Sequence, residues 1–270
     1  MKIYSLMIVK NEEDIIEQTL RDAARWSDKL IVLDNGSSDK TWEIVQSLAK
    51  ELPVIIPFVQ DFQSFHDGLR AIMFNKFKVE LTENDWWCIR MDADEFYHDD
   101  PRQMLQNIPH KYKLVYKASI DYFITHEDLE DFKFTGNFSE DRSKIKYYQP
   151  YTWSEIRFVR HSDKLKWDIK KIVPTPAGLI YPHQIRVLHY QYRSPEQMRK
   201  RFETRLIAKN ENKRTFKHEK GVDWKFYLKY RNELVCHNEG EDYTILGNRN
   251  KFNKPYKRII KQLLTLVRYY

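Results

Sequence analysis

The stretch Met91-Asp92-Ala93-Asp94-Glu95-Phe96 sets three carboxylates within four positions. It directly follows Trp86-Trp87-Cys88-Ile89-Arg90-Met91, a mostly apolar run short enough for a buried strand. Carboxylates at i and i+2 of a strand point the same way, and at a strand's end they can converge. Unscreened charges this close repel one another and raise a pKa. A divalent cation with oxygen ligands removes that penalty. The chemistry this predicts is binding of a hard cation. The plainer alternative is an acidic loop tip, with Asp92 or Asp94 capping a helix that runs through Asp100-Pro101.

The elements that must position these carboxylates follow from the first hundred residues. Residues 3–9 read as a buried strand, and Ile15, Ile16, Leu20, Ala23 and Ala24 then recur at helical spacing. Residues 30–33 form a second apolar run, and the turn Asp34-Asn35-Gly36-Ser37-Ser38-Asp39 leads into a helix with Ser38 or Asp39 as its N-cap. Residues 53–59 read as a third strand that tolerates Pro57 at an edge. Residues 66–78 read as a helix, and 86–91 as the fourth strand. Such alternation predicts an α/β fold with a mostly parallel sheet and right-handed crossovers. Ligands bind such sheets beyond the carboxyl ends of the strands. The polar clusters at 10–14, 34–39 and 92–95 all fall there, so they are expected to share one crevice.

The second half is less regular. A long strand is expected over 114–124, an irregular loop over 125–152, and short strands over 156–159 and 185–188. Ser194-Pro195-Glu196-Gln197 opens a helix with Ser as N-cap and Pro at N1, and Met198, Phe202 and Leu206 mark its buried face. A body spanning 1–195 and a basic helical region spanning 196–270 are the predicted units.

The chain has 270 residues, a net charge of +7 and two cysteines, Cys88 and Cys236, which frame no disulfide scaffold and no zinc site. Nineteen of its Lys and Arg lie in 196–270 against nine Asp and Glu, which predicts an anionic partner for that region. No run of 18 apolar residues is present, and the opening residues lack a signal-peptide cleavage pattern. A cytoplasmic setting is expected. Residues 254–270 mix apolar and basic residues and contain no acid, so they are expected to lie as a helix on an anionic leaflet. Packing on the domain or on a second subunit is the alternative.

Three segments together resemble the inverting, family-2-type glycosyltransferases of the GT-A fold. They are Ile8-Val9-Lys10-Asn11-Glu12-Glu13, Val32-Leu33-Asp34-Asn35-Gly36-Ser37-Ser38-Asp39-Lys40-Thr41, and Asp92-Ala93-Asp94 as the Asp-x-Asp motif. The resemblance covers residues 1–100 well, 100–195 loosely and the rest hardly. It implies contact of Val9 and Asn11 with nucleotide base and ribose, and a base-binding pair at Asp34 and Asn35. Asn35 departs from the family's acid there, though an amide oxygen still accepts a base N–H. It implies Arg70 on the nucleotide, Asp92 toward ribose or metal, and Asp94 on Mn2+ or Mg2+. His189 would complete the metal shell.

The acceptor's proton would pass to an acid downstream of the motif. Asp168 in Trp167-Asp168 is ranked first and Glu155 in Trp153-Ser154-Glu155 second, ahead of Glu140-Asp141. The Gln-x-x-Arg-Trp motif of processive polysaccharide synthases is absent. The expected activity is metal-dependent transfer, with inversion, from a nucleotide-sugar donor, UDP-linked by preference. The acceptor would be a glycan or lipid-linked glycan hydroxyl in surface-glycan assembly. The alternatives are a nucleotidyltransferase acting on a sugar phosphate, although Lys10–Asp14 lacks the Gly-rich loop, and a nucleic-acid binder using the basic tail, which is not favoured because it leaves the acidic crevice unexplained.

Overall fold

The structure, a computed structural model, describes residues 1–176, 178–211, 223–245, 247–248 and 255–266. The strands are β1 (Ile3–Val9), β2 (Lys29–Asp34), β3 (Ile55–Gln60), β4 (Trp86–Met91), β5 (Glu95–Tyr97), β6 (Tyr112–Phe123), β7 (Tyr147–Tyr148), β8 (Tyr151–Thr152), β9 (Ile156–Arg160), β10 (Leu179–Ile180), β11 (Ile185–His189), β12 (Val235–Cys236) and β13 (Gly247–Asn248). The helices are α1 (Ile16–Ala24), α2 (Thr41–Glu51), α3 (Leu69–Phe77), α4 (Pro101–Gln106), α5 (His126–Asp131), α6 (Phe138–Asp141), α7 (Pro195–Glu211) and α8 (Pro255–Leu266).

The main sheet runs β12-β7-β6-β9-β4-β1-β2-β3. Strands β4, β1, β2 and β3 are mutually parallel, and β9 enters antiparallel between β4 and β6. Pro57 is tolerated because β3 is the edge strand of this order. The apolar runs read as strands because both faces are covered. In β1, Ile3, Met7 and Val9 pack with α1, α2 and α4, while Tyr4 and Leu6 pack with α3. β2 divides the same way, Leu30 and Val32 on one face and Ile31 and Leu33 on the other.

Three local expectations are corrected. Residues 125–152 are not an irregular loop: they hold α5, α6, β7 and β8. Thr125 and Asp128 form a reciprocal capping box at α5, and the Asn137 side chain caps α6. Helices this short show too little periodicity to be read from spacing. The helix near Pro101 is capped by Asp100, not by Asp92 or Asp94. In α7, Met198 is buried as expected, but Leu206 is exposed.

The Ser194 hydroxyl accepts the Gln197 N–H at 3.1 Å, which starts α7 where the sequence places it. Residues 254 and 267–270 of the expected C-terminal helix lie outside the described residues. Within 255–266, Tyr256, Ile259, Ile260 and Leu263 are each more than half exposed, and their i, i+3, i+4, i+7 spacing puts them on one face. Among the described residues, no helix is long and apolar enough to cross a membrane.

Candidate active site

A cleft of about 570 Å³ opens across the carboxyl ends of the strands. At one end it is bounded by Val9, Asn11, Asn35, Phe62 and Gln63, from the ends of β1, β2 and β3. Asn11 sits at φ +55°, a left-handed conformation that asparagine tolerates better than most residues. Its amide oxygen accepts the Ser38 N–H at 2.8 Å, tying two of the predicted loops together. Asn35 donates its amide protons to the Asp61 and Gln63 carbonyls, at 3.1 and 2.8 Å.

Asp34 corrects the sequence reading. It is fully buried beneath the cleft and is not among the residues lining it. One carboxylate oxygen accepts the Ser37 N–H at 2.8 Å and the Gln60 amide at 3.1 Å, while the other is buried without a hydrogen-bond partner. As the last residue of a strand covered on both faces, it shapes the turn and leaves the cleft wall to Asn35.

The centre of the cleft holds the acidic motif. Asp92 is partly exposed and lies 3.4 Å from Arg70. Arg70 is 4 % exposed; its Nη1 lies 3.6 Å from Asp67, and its Nε makes no hydrogen bond. Burial beside the Arg90 charge lowers its pKa to about 10. Such donors, kept dry at a cleft wall, suit an anionic oxygen. Asp94 is 3 % exposed and lines the cleft. Arg201 lies 3.1 Å from its carboxylate, His189 Nε2 3.5 Å and Arg193 3.9 Å. Burial alone would raise its pKa, but His189, Arg201 and Arg193 overcome that and hold it well below the usual carboxylate range. Burial beside Asp94 pushes Glu12 up to about 7, against the pull of Arg193.

Strand pairing explains how His189 arrives there. β5 and β11 pair antiparallel with Glu95 opposite His189, and β11 runs parallel to β6 with His189 beside Asp121. Asp121 holds His189 Nδ1 at 2.7 Å. Burial opposes protonation of this ring, yet the flanking Asp94 and Asp121 raise its pKa to about 10.

The third acid of the motif faces inward. Glu95 is fully buried, and Arg157, also fully buried, binds it at 2.8 Å. Lys117 binds it as well. Glu155 lines the cleft and is gripped by Arg157 at 2.9 Å, Arg90 at 3.0 Å and Lys117 at 3.2 Å. Burial would raise its pKa; Lys117, Arg157 and Arg90 lower it to about 2. Oxygens of Asp92, Glu95 and Glu155 fall within 4.8 Å of one another. Two of those three carboxylates are already paired with cations, and Asp94 likewise faces Arg201, Arg193 and His189, whose ring Asp121 orients from behind.

Asp168 does not reach the cleft. Trp167 is 3 % exposed, packs on Phe74 and donates its indole N–H to the Lys171 carbonyl at 2.9 Å. That anchoring turns Asp168 to solvent, where it accepts the Lys170 N–H at 2.8 Å. Glu140 is exposed in α6, and the Asp141 carboxylate accepts the Thr135 and Gly136 N–H groups, both at 2.9 Å.

Several side chains of the cleft have no place in the sequence expectations. Gln197, Arg201, Thr204 and Arg205 line the cleft from α7, so the division at 195/196 cuts through its wall. Their i, i+4, i+7, i+8 spacing was a readable signal of one polar helix face. Arg193, pinned by Glu12 at 2.6 Å and Asp14 at 2.8 Å, carried no such signal.

A mostly parallel sheet thus ends in acidic residues at its carboxyl rim, between an amide-lined end and a wall of arginines. The sequence profile of glycosyl transferase family 2 matches residues 5–181, and the chain belongs to that family. An uncharacterized glycosyltransferase of Rickettsia bellii (strain RML369-C) is 32% identical over 94 residues, 35% of this chain and 28% of that protein. The chain thus spans under a third of that relative. Among solved structures, the mannosyltransferase PcManGT from Pyrobaculum calidifontis, in complex with GDP-Man and Mn2+, is similar at 14% identity and a TM-score of 0.39, over 79% of this chain and 64% of that one.

Proposed function

We propose that this glycosyltransferase takes its sugar from a nucleotide-sugar donor, UDP-linked by preference, and transfers it with inversion to an acceptor hydroxyl in surface-glycan assembly. The observation that carries this reading is Asp94, a nearly buried carboxylate at the centre of the cleft, flanked by His189 and a row of arginines. Asp92, Asp94 and His189 are the residues that would hold Mn2+ or Mg2+. When bound, such a cation neutralises charge building on the departing diphosphate.

The other roles belong to the chain itself. Val9, Asn11 and Asn35 seat the nucleoside, and the Asn35 amide oxygen is left to accept a base N–H because both its amide protons are spent internally. Arg70 and Arg201 direct N–H donors at the diphosphate. Arg201 Nε, buried without a partner, is a second unspent donor. The acceptor oxygen attacks the anomeric carbon as the carbon–oxygen bond to the diphosphate breaks, and that bond's electron pair leaves with the phosphate. Glu155 is the expected proton acceptor that lines the cleft. A carboxylate held at about 2 orients an acceptor hydroxyl better than it deprotonates one, so leaving-group stabilisation carries most of the catalysis.

The test is release of nucleoside diphosphate from a panel of UDP-, GDP- and dTDP-sugars with Mn2+. Metal-dependent release from one class is expected. Binding and release of none would overturn the reading.

We also propose that the exposed apolar face of α8, in a segment carrying Lys257, Arg258 and Lys261, rests on an anionic membrane surface. Deleting 254–270 should abolish co-sedimentation with phosphatidylglycerol vesicles; undiminished co-sedimentation contradicts it.

A further inference from the structure

Six of the seven tryptophans are buried or half-buried, and Trp153 is 60% exposed. It is also a residue of the cleft wall. A single exposed apolar side chain is ordinary; this one is held by its backbone. Ser119 donates its N–H to the Trp153 carbonyl at 3.0 Å, and Lys117 donates to the Glu155 carbonyl at 2.9 Å, so residues 153–155 run as a ladder along β6. Ser154 between them is buried and bonds Gln184. The period of two thus sends Trp153 and Glu155 to the cleft together.

The strand order fixes which end this is. The nucleoside-binding residues sit at the ends of β1, β2 and β3, the acidic motif follows β4, and Trp153 lies beyond it, bridged to β6 and just ahead of β9. Anything held against Trp153 is therefore across the acidic motif from the nucleoside. Glu155 lines the cleft two residues further on, and Arg90 and Lys117, which bind it at 3.0 and 3.2 Å, line the cleft as well. An occupant must offer a flat apolar face to the indole and hydrogen-bonding edges to these groups. A pyranose ring does both, since C–H groups cover one face and hydroxyls ring the edge.

We propose that Trp153 is the platform of the acceptor subsite and that the acceptor is a pyranoside, stacked on the indole with its hydroxyls turned to Glu155 and Arg90. The proposal rests on the glycosyltransfer reading above and supplies the substrate class for the far end of the cleft.

The test uses the full chain with 15N-labelled tryptophan, Mn2+ and UDP. Methyl β-D-glucopyranoside, methyl β-D-galactopyranoside and methyl α-D-mannopyranoside serve as probes. The Trp153 indole resonance, assigned by its loss in Trp153→Ala, should shift with at least one probe. Glycoside affinity should fall about tenfold in Trp153→Ala and stay within about threefold of wild type in Trp153→Tyr. UDP affinity is the internal control for folding. If UDP binds and no probe moves the Trp153 resonance, or Trp153→Ala keeps wild-type glycoside affinity, the platform is overturned while the donor site stands. If wild type fails to bind any nucleoside diphosphate, the glycosyltransfer reading itself falls.

Discussion

Asp94→Ala is expected to lower transfer by at least about a thousandfold, because a metal-held leaving group accounts for several kcal/mol of transition-state stabilisation. The side chain is nearly buried, yet it lines the cleft and faces His189, Arg193 and Arg201 together. Its removal leaves three cationic groups facing one another, so some loss of stability will accompany the loss of activity. Asp94→Asn separates the two effects by keeping the shape and removing the charge. If Asp94 served only as an ion-pair partner, both variants would melt earlier while binding Mn2+ and nucleotide as wild type does. Loss of metal-dependent nucleotide binding in Asp94→Asn is the outcome the mechanism requires.

Arg157→Ala should give the largest loss of stability, about 3–5 kcal/mol. Arg157 and Glu95 are both fully buried and paired at 2.8 Å, and Arg157 also holds Glu155 and the Arg90 carbonyl. Deleting the guanidinium leaves a dry carboxylate with Lys117 as its remaining cation. Urea denaturation measures this directly, and a change below about 1 kcal/mol would contradict it. Glu155 adds a pH signature. The folded protein holds it at about 2, down from 4.5, so its contribution to stability is present above the ordinary carboxylate value and is lost as pH falls toward 2. In Glu155→Gln that part of the acid-induced loss should be missing.

The first hundred residues were legible for a physical reason. Strands covered on both faces must be continuous apolar runs, and the polar residues that follow them can only gather at one rim. Pro57, Asn11 and the Asp92-Ala93-Asp94 turn all sit where that reasoning puts them. The rest depended on pairings that sequence spacing does not carry. Asp121 and His189 are 68 residues apart and meet because β11 lies beside β6. Glu95 follows the motif directly, and the pleat turns it inward onto Arg157. Asp34 looked like a cleft residue, and the close cover of β2 places it underneath. Asp168 follows Trp167, and the burial of that indole against Phe74 points the carboxylate away from the cleft. Gly68 belongs to the same lesson: a Cβ there would meet the Ile169 carbonyl oxygen at 2.0 Å, so the loop carrying Trp167 closes on α3 only over a glycine.

The most direct measurement is a thermal-shift panel of UDP, GDP, dTDP, CDP and ADP, each with and without Mn2+, on wild type and Asp94→Asn. At a hundredfold excess over Kd, one of these ligands should raise the melting temperature by about 5 °C or more. The rise should need Mn2+ and should vanish in the variant. A nucleotide-induced rise of the same size without Mn2+, or one that survives Asp94→Asn, would contradict a donor diphosphate held through a cation on this carboxylate.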